Sequence, residues 1–127
     1  MSIQIKTVKR GQPGVFGGGV KKYYARPVHG RELTLESLTK AIEKTSTVNG
    51  ADIHAVLYAM VEESIAGLED GRIIRLGDLG SLRITLSSEG KNTADEVTAA
   101  AVKKAGIIFT PGTKLQLMLK TAKFTKE

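Results

Sequence analysis

Two stretches constrain the fold more than anything else in the chain. From Gly71 it reads GRIIRLGDLGSLRIT, and from Ile107 it reads IIFTPGTKLQLML. In the first, Leu82, Ile84 and Leu86 alternate with Arg83 and Thr85, the period of a strand with one face turned to a core. Gly77-Asp78-Leu79-Gly80 supplies a tight hairpin connection, because glycine reaches positive φ at no steric cost. The second stretch runs from a short strand, Ile107–Phe109, into a helix. Pro111 is expected at the first helical position with Gly112 behind it, and Leu115 and Leu119 then recur at i, i+4 to about Lys120. A small antiparallel sheet with helices around it is an α+β arrangement.

Two helices are predicted upstream of the hairpin. Thr34 is the N-cap of the first: its hydroxyl can accept from first-turn amides, and Glu36 sits near the positive helix end. Leu35, Leu38, Ala41 and Ile42 continue it to about Thr45, and Ser46–Gly50 forms the turn. The second runs from about Ala51 to Leu68, with Ile53, Val56, Leu57, Met60, Val61, Ile65 and Leu68 on one broad face. That face is too wide for the small sheet to cover, so a homodimer is expected, its interface containing Ile53, Val56, Leu57, Met60 and Val61. Before the helices, Ile3–Lys9 reads as a strand and Lys21–Pro27 as another extended piece. The glycines at 17–19 do not make a phosphate loop, since no Gly-Lys-Ser/Thr follows and Pro27 holds Arg26 extended. Lys123–Glu127 is expected to pair with the N-terminal strand.

The net charge of +6 is unevenly spread. Residues 1–33 carry +6, residues 34–90 carry −4 and residues 91–127 carry +4. Basic ends around an acidic middle imply a positive side that attracts phosphate polymers. The chain has no cysteine, which removes disulfides and thiolate chemistry. It has no run of eighteen apolar residues, and MSIQIKTVKR is not a signal peptide, so a soluble intracellular protein without membrane partners is expected. His29 and His54 have no carboxylate pair beside them. No nucleophile–base or metal constellation appears, which argues for no catalytic residues, no metal, no cofactor and no small-molecule substrate.

From Leu33 to Lys120 the order of elements resembles the bacterial DNA-bending proteins HU and integration host factor. Their turn Phe-x-Pro-Gly-x-Lys-Leu matches Phe109, Pro111, Gly112, Lys114 and Leu115, and their hairpin glycines look like Gly77 and Gly80 with one extra residue between. The resemblance implies an intertwined dimer of two N-terminal helices, a small antiparallel sheet and a C-terminal helix. It also implies a non-enzymatic, mostly sequence-independent protein binding double-stranded DNA in the cytoplasmic nucleoid. One HU-like domain over 1–127 is expected, with an extension at 1–32, a core at 33–120, an arm at about 87–106 and a tail at 121–127. Gly112, Thr113 and Lys114 would meet phosphate at the positive end of the last helix. Arg75 and Arg83 lie on the hairpin, and Lys91, Lys103 and Lys104 lie in the arm, where family members carry DNA contacts. Phe109 is assigned to the core. Tyr23 and Tyr24, among Lys21, Lys22 and Arg26, can stack on bases or pack on the body.

The arm departs from that pattern. It carries three acids and no proline, since none stands between Pro27 and Pro111. A structural or protein-interaction module with weakened DNA binding is therefore the alternative function. Thr93-Ala94-Asp95-Glu96 fits a capping box, and alanines, Lys103, Lys104 and Gly106 follow. A short helix within Ala94–Ala105 is predicted, with strong DNA bending lost; the competing arrangement keeps a β-ribbon.

Overall fold

A computed structural model describes residues 1–127. In chain order the elements are β1 (Ile3–Arg10), β2 (Lys22–Pro27), α1 (Leu35–Thr45), α2 (Gly50–Glu69), β3 (Ile74–Arg75), β4 (Gly80–Ser88), β5 (Val102–Pro111), α3 (Thr113–Thr121) and β6 (Phe124–Lys126). The chain divides into two compact units, residues 1–32 with 118–127, and residues 33–117.

The first unit is a three-stranded sheet in the order β2-β1-β6. β1 and β2 are antiparallel, while β6 lies parallel to β1 with Phe124 opposite Ile3. Extension and tail thus share one sheet, as expected for Lys123–Glu127.

In the second unit α1 packs on α2. The Thr34 hydroxyl accepts from the Ser37 amide at 3.2 Å, the expected cap. Asn49 caps α2 by accepting from the Asp52 amide at 2.9 Å, a local signal that the sequence reading passed over. Thr39 is buried with its hydroxyl donating to the Leu35 carbonyl at 2.8 Å, which satisfies the group. The second sheet has the order β3-β4-β5, antiparallel throughout. Gly67 lets it approach α2: a Cβ there would stand 2.5 Å from Ile74 Cδ1.

The two turns that stood out in the sequence interlock. Gly77–Leu79 is one turn of 3-10 helix, closed by the Leu76 amide donating to the Gly80 carbonyl at 2.8 Å. The Gly112 amide donates to the Leu79 carbonyl at 2.9 Å. Gly80 has φ +144°, and a Cβ on it would strike the Thr110 carbonyl and sit 2.9 Å from the Phe109 ring. Gly80→Ala therefore combines backbone strain with overpacking, and a loss of about 2–4 kcal/mol is expected. Urea unfolding of the variant measures it; a midpoint equal to that of the wild type would show that the turn tolerates a side chain.

The arm corrects the expected helix at Ala94–Ala105. Val102–Ala105 instead extends β5 as a ribbon against Leu86–Ser88, and 94–96 and 99–101 form two separate 3-10 turns. The capping box does not form: Thr93 makes no side-chain cap, and the Glu96 amide donates to the Thr93 carbonyl at 3.3 Å. Extended Val97 and Thr98, both β-branched, interrupt the alanines. Pairing also satisfies the backbone of the far end of β4, which a helix would leave open. The Glu89 amide closes the ribbon on the Ala101 carbonyl at 2.8 Å, and Ala101 is buried.

Candidate nucleic-acid interface

Side chains opposite one another in an antiparallel pair lie on the same face. Leu82 stands opposite Phe109, Ile84 opposite Ile107 and Leu86 opposite Ala105, so one face of the second sheet is apolar. Ser81 stands opposite Thr110, Arg83 opposite Ile108, Thr85 opposite Gly106 and Ser87 opposite Lys104. Arg75 on β3 pairs with Ser81 and joins this second face. Arg75, Arg83 and Lys104, singled out separately in the sequence, thus lie on one largely polar side of one sheet, and all are exposed.

Lys103 does not join them. It falls where the register shifts between Ser87 and Ser88, an extra residue in β5. Lys91 lies beyond the strands, its ammonium 3.3 Å from the Glu89 carboxylate, so part of its charge is satisfied within the arm.

At the near end of the same face a cleft of about 290 Å³ is lined by Arg75, Gly77, Gly80, Ser81, Thr110 and the Pro111–Thr113 turn. The turn differs from expectation in one respect. Pro111 is the last residue of β5, paired with Gly80, and the helix begins at Thr113. The Gln116 backbone N–H donates to the Gly112 carbonyl at 2.9 Å, the first bond of α3. The amides of Thr113 and Lys114 therefore belong to the orphan donors of a helix start, where the helix dipole is positive. Gly112 also lets the two turns interlock: a Cβ there would strike the Asp78 carbonyl and lie 2.9 Å from the Gly80 amide.

Asp78 also changes the reading of Lys114. Its carboxylate is 3.8 Å from the Lys114 ammonium, with both side chains largely exposed. An exposed pair of that length contributes little to stability, but it sets a carboxylate beside the one lysine of the turn. The sequence alone offered no sign of it, because the partners are thirty-six positions apart and meet only when the turns interlock.

A small antiparallel sheet with a polar, partly basic face, preceded by a helix pair and followed by a helix opening at a Pro-Gly turn, is an HU-like arrangement. The chain belongs to the HU-HIG family, an HU domain fused to wHTH, Ig, or glycine-rich motif, whose sequence pattern matches residues 1–126. The resemblance resting on Phe109 to Leu115 therefore holds. The fold is also similar to that of a crystal structure from Bacteroides vulgatus ATCC 8482, a candidate bacterial DNA binding protein, with a TM-score of 0.68 and 15% identity. That match covers 99% of this chain and 49% of the other, so the chain spans about half the length of that protein. No curated protein sequence matches the chain.

Proposed function

We propose that the chain is a non-enzymatic, double-stranded-DNA-binding protein of the histone-like kind, acting as a homodimer on the nucleoid with little regard for sequence. The observation that carries this reading is the meeting of Arg75, Thr113 and the start of α3 around one open cleft, on the same sheet face as Arg83 and Lys104, in a chain of the HU-HIG family. Backbone amides at a helix start and a guanidinium both suit phosphate oxygens. Neither reads a base edge from there, which favours sequence-independent binding. The candidate bacterial DNA-binding protein with the same fold points the same way. No helix is long and apolar enough to cross a membrane.

A second reading, a protein-interaction module with weakened DNA binding, is favoured by Asp78 beside Lys114 and by Glu89, Asp95 and Glu96 around the arm. Retention on DNA-cellulose across a salt gradient separates the two.

The test is fluorescence anisotropy with two unrelated duplexes. Affinity is expected to fall steeply with salt, log K changing by about −0.9 per phosphate neutralised for each tenfold rise in salt. Arg75→Gln and Lys114→Ala should weaken both duplexes equally, Lys114→Ala by the smaller factor because Asp78 already engages it. Salt-independent binding, or a change in sequence preference, would overturn the assignment.

A further inference from the structure

The net positive charge of this protein does not lie on the unit of residues 33–117. Residues 33–117 hold nine lysines and arginines against eleven carboxylates, a net −2, while the other unit holds ten against two, a net +8.

The register of the first sheet shows where four of those ten lie. β1 alternates, so Gln4, Lys6, Val8 and Arg10 share one face. On β2, Arg26 stands directly opposite Lys6, Tyr24 opposite Val8 and Lys22 opposite Arg10. Thr125 of β6 extends the face opposite Gln4. The ring contact agrees with this placement: the Arg10 guanidinium lies 5.3 Å from the Tyr24 ring centre, across the diagonal. Two like-charged pairs therefore face one another across the same two strands, and no carboxylate pairs with any of the four.

Directly opposed like charges destabilise a strand pair, and nothing in the fold requires them. Beside the Lys6–Arg26 pair a cleft of about 270 Å³ is lined by Lys6, Arg26, Pro27, Val28 and His29, open to an anion. The second pair lies four residues along β1, about 14 Å away at strand rise. A single small anion cannot serve both, whereas a ligand with charge repeated along its length can. Half-buried Val8 and Tyr24 stand between the two pairs, and the strand register sets the spacing of the residues that carry the cations.

We propose that this face of the first sheet, through Lys6, Arg10, Lys22 and Arg26, is a second nucleic-acid contact that grips the phosphate backbone of the duplex and supplies most of the electrostatic attraction. The inference rests on the duplex reading above but assigns the charge to a different surface. A unit of net charge −2 gains long-range attraction to DNA from such a source.

The test compares two neutralised chains with the wild type on one duplex across a salt series. One carries Lys6→Gln, Arg10→Gln, Lys22→Gln and Arg26→Gln; the other carries Arg75→Gln, Arg83→Gln and Lys104→Gln. The fourfold variant should flatten the log K against log salt slope by about 3 units or more, since each phosphate contact adds about 0.9. Its thermal midpoint should stay level or rise as the repulsion is removed. The two half variants, Lys6→Gln with Arg26→Gln and Arg10→Gln with Lys22→Gln, should each lose part of the slope, which keeps the test open if the fourfold chain folds poorly. An unchanged slope in folded fourfold and half variants, with a loss confined to the Arg75 set, overturns the second contact and leaves the duplex reading standing. A wild type that ignores duplex overturns both. Vesicles of phosphatidylglycerol form the control arm: if the fourfold variant loses vesicle binding while its duplex slope is unchanged, the face meets lipid and the proposal fails.

Discussion

Val56→Asp together with Met60→Asp is expected to abolish dimerisation and, with it, cooperative unfolding. Only Ile53, Leu68 and Ala101 are buried hydrophobic residues in the isolated chain. Its accessible surface is 10793 Å². Two separate compact bodies of the units' sizes would expose about 7,800 Å² by surface scaling. The excess, about 3,000 Å² per chain, is more than the roughly 1,000–2,500 Å² that each partner buries in most obligate interfaces, so a homodimer would close much of it. Along α2, Val56, Met60, Val61 and Ile65 are 65%, 41%, 45% and 46% exposed. Ile53, which the sequence placed at the interface, is already buried within the chain and has little area left to offer. Ile84, Ile107 and Phe109 on the apolar face of the second sheet are exposed as well, and they add to the surface that a second copy can close. Two carboxylates forced into such an interface would cost several kcal/mol, comparable with a whole stability of about 5–15 kcal/mol. The wild type is expected to melt at a temperature that rises with protein concentration, the signature of a dimer whose formation is linked to folding. Light scattering and circular dichroism check this. A wild type that stays monomeric at roughly tens of micromolar, a range where even modest dimers survive, with a variant of equal midpoint, would remove the dimer from the account.

Where local chemistry decides the backbone, the sequence was legible. Thr34 announces α1, the glycines at 77 and 80 announce a hairpin, and Pro111-Gly112 announces a strand becoming a helix. Each is settled within about five residues. Where the structure depends on residues far apart, local sequence does not determine it. The alanines of 99–101 favour a helix in isolation, but the partner that overrules them is Leu86–Ser88, and no local pattern shows that pairing. The alternation of Ile3–Lys9 shows which side chains of β1 share a face, yet not that Arg26 stands opposite Lys6 and Lys22 opposite Arg10. The same gap hid Asp78, which stands 3.8 Å from Lys114, the cation of the turn. Three of the chosen site residues, Arg75, Arg83 and Lys104, do share a face, because hairpin register follows from the turn that the glycines mark.

Duplexes bound by this protein are expected to remain nearly straight. Minor-groove architectural proteins, among which HU and integration host factor are standard examples, bend DNA by inserting an apolar wedge between base steps, with kinks of about 20–90°. The sequence offers two reasons for losing that action, the absent proline and a helix in the arm, and the ribbon removes the second. The first remains, and the charge at the end of the ribbon adds another. No proline stands between Pro27 and Pro111 to serve as a wedge. The segment beyond the strands carries Glu89, Asp95 and Glu96 against Lys91 alone, and Lys91 is 3.3 Å from Glu89, so the end of the arm is negative where it would have to enter a groove lined by phosphates. Binding by the proposed cationic faces is expected to survive this, because holding a backbone requires no deformation, whereas unstacking a step costs a few kcal/mol that only an inserted side chain recovers. Ring closure of short duplexes, or energy transfer between dyes at duplex ends, should show little change on saturation. Glu89→Gln with Asp95→Asn and Glu96→Gln should tighten binding at low salt, since phosphate repulsion is removed, and still leave the duplex straight, because charge removal supplies no wedge. A sharp bend by the wild type would show that exposed Val97 or Val102 can act as the wedge and that the negative arm end does not keep it out of the groove.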